Sequence, residues 1–218
     1  MNNLKTCLIA VPCFDMMHTR FVASLVSMNR VGASRCSFLS NSLVYDARNM
    51  LAAEAIDTGA DRILWLDSDM SFDVDLMQRL SADMDTGLDF VTGIYFKRKL
   101  PTSPCFYKSA EIESASDGVK GRVEAFSDYP KDSLFEVEGA GFGAVMVSTQ
   151  MVKDVYDTYG YPFAPLPGVL GEDLAFCWRA RQLGYKLWAD SRIKVKHIGS
   201  FAIGEEHYKR QASEDNAS

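Results

Sequence analysis

The sequence predicts an α/β domain with a mainly parallel central sheet flanked by helices. Short apolar runs at 7–11, 62–66 and 89–96 have the length of buried strands. Segments with apolar residues at helical spacing separate them, so strand and helix alternate from the start of the chain to about residue 96. The composition agrees, with 218 residues, 47% apolar and 24% charged. Those values are ordinary for a globular chain and exclude a disordered chain, a collagen-like repeat or a coiled coil. At roughly 150 residues per domain the length predicts one to two domains, able to bury about 70% of the unfolded surface.

The elements follow in order. Residues 7–11 (CLIAV) form a strand stopped by Pro12. Phe21, Leu25 and Met28 mark a helix over 19–29, and a second strand is expected at 36–41. Ala47, Leu51, Ala55 and Ile56 line one face of a helix over 46–58 that Gly59 ends. Residues 62–66 (RILWL) are a strand that runs into Asp67-Ser68-Asp69. Asp73 is expected to cap the next helix, whose face is Met77, Leu80 and Met84 and whose stop is Gly87. After the strand at 89–96, residues 97–133 hold Lys97-Arg98-Lys99, prolines and Ser/Asp/Gly clusters, which predicts an irregular excursion of loops and short strands. Strands at 135–138 and 144–148 flank Gly139-Ala-Gly-Phe-Gly143. A helix over 149–158, a loop over 159–171, a helix over 172–183 and strands at 185–189 and 194–198 complete the pattern. The expected organisation is one domain over 1–203, in halves 1–96 and 97–203, with a loosely ordered polar tail at 204–218.

The 23 Lys and Arg against 29 Asp and Glu give a net charge of −6. Such a chain carries no global field for polyanions, so nucleic acid is not the default partner. Five scattered cysteines without CxxC spacing argue against a disulfide framework and a cysteine zinc site. They point to a reducing compartment, and a cytoplasmic protein is expected. The first apolar run stops too early for a signal-peptide core, and no stretch approaches the roughly 20 apolar residues of a membrane span.

The strongest local feature is ILWLDSDMSF, in which an apolar strand delivers Asp67 and Asp69 to the carboxyl edge of the sheet. Ligands of open α/β sheets bind at that edge. At i and i+2 the two carboxylates point in similar directions, a hard oxygen pair suited to Mg²⁺ or Mn²⁺. The plainer reading of the same residues is an Asp-rich turn before a helix. Glu172-Asp173 opens a later helix, where the dipole favours ionised carboxylates and predicts a low pKa. His197 follows the last strand; alone it reads as a satisfied histidine. Lys97-Arg98-Lys99 reads as a solvated basic loop, or as a contact for an anionic acceptor. Tyr159, Tyr161 and Phe163 read as loop packing, with sugar stacking as the alternative.

Taken together, CLIAVPCF, Arg48-Asn49, Asp67-Ser68-Asp69, GAGFGAVMVS, GEDLAFCWRARQLGY and the His197 of KVKHIG resemble, in order and spacing, the GT-A-fold nucleotide-sugar glycosyltransferases. The likeness covers roughly residues 6–200 and is nearest to small stand-alone bacterial or phage-type members; the excursion 97–133 matches nothing in it. The resemblance implies that Pro12, Cys13 and Phe14 hold the nucleotide base and ribose, and that Arg48 meets the donor's phosphates or sugar. It implies Asp69 and His197 as ligands of Mn²⁺ or Mg²⁺, and Asp67 as a ribose contact or a ligand through water. The resemblance also implies Gly141 in a turn near both sugars, Asp173 in the position of the base of inverting members, and Glu172 as the acceptor contact. The implied donor is a nucleotide-diphosphate sugar, most simply a UDP-sugar. The acceptor is a glycan or other hydroxyl, with a modified DNA base the lesser possibility. Two other readings stay open: a sugar-nucleotide or nucleotidyl transferase, and a binding module without turnover.

Overall fold

The computed structural model describes residues 5–99, 101–115 and 118–199. The elements run β1 (Cys7–Pro12), α1 (Thr19–Ser27), β2 (Ser34–Leu39), α2 (Val44–Asp57), β3 (Arg62–Leu66), β4 (Met70–Ser71), α3 (Leu76–Met84) and β5 (Phe90–Ile94). They continue β6 (Phe106–Ala115), β7 (Gly118–Ala125), β8 (Leu134–Val137), β9 (Gly139–Ala140), β10 (Ala144–Ser148), α4 (Thr149–Tyr159), α5 (Glu172–Gln182), β11 (Leu187–Lys194) and β12 (Lys196–His197).

The central sheet has seven strands in the order β2-β1-β3-β10-β5-β11-β8. Five share one direction, and β10 and β8 run against it. β1, β3 and β5 are buried along their whole length, which is why, apart from Arg62 and Thr92, they read as near-continuous apolar runs rather than alternating ones. Their side chains still alternate between two cores. Leu8, Ala10, Ile63 and Trp65 pack with residues of α2, α4 and α5 on one face. Ile9, Val11, Leu64 and Leu66 pack with α1 and α3 on the other. The fold is therefore three-layered, α/β/α, as the alternation of elements predicts.

Four expectations change. The helix after Asp73 starts at Leu76 with Asp75 at its N-cap, and neither carboxylate caps it: the Asp73 carbonyl accepts from Leu76 N–H, closing a turn in front of the helix. The segment 97–133 is not mainly irregular, since β6 and β7 form a long antiparallel hairpin. Its polar composition hid it. β7 is mostly exposed, and opposite charges face across the strands, with Lys108 Nζ 2.9 Å from Glu124 and Arg122 3.2 Å from Glu113. The last strands fall at 187–194 and 196–197, because the pairing of β11 with β5 slips between Asp190 and Lys194. The second strand begins two residues early, at Ser34. The tail 204–218 lies outside the described residues, among which no helix is long and apolar enough to cross a membrane.

Candidate active site

A cleft of about 520 Å³ opens at the carboxyl ends of β1 and β3. Pro12, Cys13 and Phe14 line it from the loop after β1, Arg48 from α2, and Asp67 and Asp69 from the end of β3. Gly141, Glu172, Asp173 and His197 complete the wall. All ten residues singled out in the sequence thus meet in one cavity, although they span positions 12–197.

His197 reaches Asp69 through a two-stranded ribbon. β12 pairs with β4, placing His197 opposite Met70, and Ile198 N–H donates to the Asp69 carbonyl at 2.8 Å. His197 Nδ1 lies 3.1 Å from the Phe96 carbonyl, and only an N–H can face a carbonyl oxygen there. Nε2 is then the nitrogen presented to Asp69 Oδ2, 3.3 Å away. A histidine oriented in this way by a backbone carbonyl is what metal ligation uses. Among the described residues no group of three or more His, Cys, Asp or Glu could enclose a metal. Asp69 and His197 alone would offer two ligands, a set that would suit only an ion that keeps waters or takes oxygens from a bound phosphate. Partial burial raises the Asp69 pKa, but the hydrogen bond and charge of His197 and the charge of Arg98 outweigh it and hold the carboxyl below the usual range. Asp69 is therefore ionised at neutral pH.

Asp67 faces another way. Its Oδ1 accepts from Arg48 Nη2 at 2.8 Å. Arg48 is only 2% exposed, and its guanidinium lies 5.7 Å from the Trp65 ring and 5.4 Å from the Phe142 ring. Glu172 Oε1 is 3.8 Å from Arg48 Nε. Burial opposes the charge on Arg48, but Asp67, Glu172 and Asp173 together keep it protonated. Its Nε and Nη1 are buried and have no hydrogen-bond partner among the described residues. Arg48 thus joins the Asp67 end of β3 to the acidic start of α5. Burial also lifts the Asp67 carboxyl, against the pull of Arg48. Beside Arg48, Asn49 Oδ1 accepts from Phe163 N–H at 2.9 Å and fastens the loop before α5.

Asp173 differs from expectation. Its Oδ1 accepts from Leu174 N–H at 2.7 Å at the start of α5, yet its pKa is pushed up to about 6. Desolvation in the cleft is the main cause, the Glu172 charge adds to it, and the Leu174 N–H and Arg48 offset only part. Burial outweighs the helix dipole that predicts a low value.

Tyr95, Cys105 and Tyr107 also line the cleft and carry no sequence motif, and Lys97 of the basic run joins them. Tyr95 organises the glycine turn: its hydroxyl oxygen accepts from Gly143 N–H at 3.0 Å. A Cβ on Gly141 would lie 2.2 Å from that hydroxyl and 3.4 Å from Asp173 Oδ2; on Gly143 it would meet the Tyr95 ring at 2.9 Å. The glycines are needed for space around Tyr95. The basic run is a loop with Arg98 and Lys99 exposed, but two of its cations have partners. Lys97 Nζ sits 5.7 Å over the Tyr107 ring, and Arg98 Nη1 reaches Asp69 Oδ2 at 2.5 Å. Phe163 is buried, stacked 4.7 Å from Phe176, while Tyr159 packs on Arg179; neither they nor Tyr161 line the cleft.

No protein-family profile matches the chain, and no curated protein matches its sequence. Solved structures do. The chain is similar to A197 from STIV, with 19% identity over 90% of this chain and 86% of that one, at a TM-score of 0.64. It is also similar to GalNAc-T7 solved with UDP, GalNAc and Mn²⁺, with 12% identity over 92% of this chain and 45% of that one, at a TM-score of 0.60. At such identities the likeness is one of fold, and the chain has the GT-A-like α/β fold that its ordered motifs predict.

Proposed function

We propose that the chain is a glycosyltransferase that moves a sugar from a nucleotide-diphosphate sugar, most simply a UDP-sugar, to an acceptor hydroxyl with inversion. One observation carries this reading: the Asp69–His197 pair and the Glu172–Asp173 pair share a cleft, with Arg48 and Gly141 between them. Sugar transfer needs that division, because negative charge grows on the leaving diphosphate while the acceptor hydroxyl loses a proton elsewhere. Asp69 and His197 hold Mn²⁺ or Mg²⁺ in this reading, and the bound ion supplies positive charge to the diphosphate. Pro12, Cys13 and Phe14 form the wall for base and ribose. Arg48 opposes the upward push of burial on the Asp67 carboxyl, holds it in place, and joins the donor side to the acceptor side. Asp173 takes the acceptor proton; a base with a pKa of about 6 is unprotonated at neutral pH and still basic enough to accept it. Glu172 lies beside it against the acceptor. Close packing of Gly141 leaves the turn's backbone next to Asp173.

A fold that retains a bound nucleotide without turnover is distinguished by product. UDP-, GDP- and CMP-sugars are incubated with the protein and Mn²⁺, and released nucleotide is measured by mass spectrometry. Release from one donor class, abolished by EDTA, is the expected result. No release from any donor, with or without candidate acceptors, overturns the proposal.

A further inference from the structure

Asp69 Oδ2 already has a cation. Arg98 Nη1 lies 2.5 Å from it, and His197 Nε2 faces the same oxygen at 3.3 Å. Arg98 belongs to the turn between β5 and β6. That turn is tied at its base: Phe96 bridges to Pro104, Lys97 N–H donates to the Ser103 carbonyl at 2.9 Å, and the Thr102 hydroxyl donates to the Lys97 carbonyl at 2.7 Å. The Arg98 side chain itself is 56% exposed, so it can leave Asp69 while the turn stays in place. Its neighbour Lys97 is directed at Tyr107 instead, so of the two only Arg98 is placed on the metal-binding carboxylate.

We propose that Arg98 is a positioning residue that occupies Asp69 in place of a divalent ion while no donor is bound, and that ion entry displaces it. The inference rests on the metal-assisted reading above. A guanidinium and a divalent ion cannot share one carboxylate oxygen without strong like-charge repulsion. The displaced guanidinium is held by its tied turn at the cleft edge, where a diphosphate gives it a new anionic partner. Without nucleotide, Arg98 weakens ion binding; with nucleotide, it has somewhere to go. Ion and nucleotide therefore bind with positive coupling, and each raises the affinity for the other by the same factor.

The test is Mn²⁺ titration without substrate, reading free Mn²⁺ by electron paramagnetic resonance, for the wild type and for Arg98→Gln, Arg98→Lys and Asp69→Asn. Arg98→Gln should tighten Mn²⁺ about two- to fivefold, the scale of a partly exposed ion pair. Arg98→Lys should fall between it and the wild type, and that shift stands even where Arg98→Gln does not fold. Adding UDP should tighten Mn²⁺ more for the wild type than for Arg98→Gln. Equal or weaker Mn²⁺ binding in both Arg98 variants, with wild-type binding that Asp69→Asn removes, overturns the displacement and leaves the metal reading standing. No Asp69-dependent Mn²⁺ binding in any of them overturns both.

Discussion

Asp173 shows how an environment assigns a role to a side chain. At the first turn of α5 an exposed carboxylate would titrate low; here desolvation and Glu172 carry it to about 6. The sign of the consequence is fixed. If Asp173 is the base proposed above, it acts in its ionised form, so kcat/KM should fall about tenfold per unit as pH drops below about 6 and level off above it. Asp173→Asn should remove that limb and lower kcat by about 10²–10⁴-fold, the usual worth of general-base catalysis. A pH–rate profile of the two proteins checks this, and an unchanged acid limb in the variant would assign the titration elsewhere. The identity of Asp173 was readable from GEDLAF, but its pKa was not, because burial comes from elements distant in sequence. Arg98 taught the same lesson. Nothing in KRK distinguishes a solvated cation from one that meets a carboxylate 29 residues away.

At the scale of elements, the glycine turn 139–143 is a packing device around Tyr95. Gly141→Ala would drive a methyl to 2.2 Å from the Tyr95 hydroxyl, inside the buried wall of the cleft. Overpacking of this kind costs about 1–3 kcal/mol. Urea unfolding should show that loss, and Tyr95→Phe in the same chain should recover part of it by removing the oxygen that is struck. Destabilisation that Tyr95→Phe leaves untouched would place the strain elsewhere. β1, β3 and α2 could be read from the sequence because burial on both faces, or helical spacing of Ala47, Leu51 and Ala55, leaves a simple apolar record. The β6–β7 hairpin could not. β7 alternates Val119, Gly121, Val123 and Ala125 with Lys120, Arg122 and Glu124, but half of the apolar set is Gly or Ala and the strand is mostly exposed, so the period-2 pattern holds too few large apolar residues to mark a strand. The start of α3 was missed for a related reason: Asp73 and Asp75 are equivalent in composition, and a turn decides which one precedes the helix.

For the whole molecule, the order of motifs was more informative than any one of them. Asp67-Ser68-Asp69 alone reads as a turn, and His197 alone as a satisfied side chain; only the α/β topology brings them to one sheet edge. The cleft residues without a motif, Tyr95, Cys105 and Tyr107, were invisible because their role is to be adjacent, which the local sequence does not record. The molecule also carries a pH response away from the cleft. Asp83 on α3 is pushed up to about 6, by burial first and then by Asp190, against the opposing charges of Arg192 and Arg79. A carboxyl raised in the folded state stabilises it below the unfolded pKa and loses that stabilisation as pH rises through the folded value. Asp173 has the same sign. Thermal stability should therefore decline from about pH 4 to just above pH 6 and level off beyond it. Asp83→Asn should flatten the decline by about 1–2 kcal/mol. A variant that declines as steeply as the wild type would clear Asp83 of the effect.

The central claim is that one cleft holds a metal and donor site at Asp69 and His197 and a separate base at Asp173. Calorimetric titration of UDP in saturating Mn²⁺ tests it most directly, comparing the wild type, Asp69→Asn and Asp173→Asn. Asn keeps the shape and an oxygen of Asp but not the charge that a divalent ion requires. The account predicts that Asp69→Asn weakens UDP at least tenfold and that Asp173→Asn binds it within about twofold of the wild type. Wild-type UDP affinity in Asp69→Asn, or an equal loss in both variants, would contradict it.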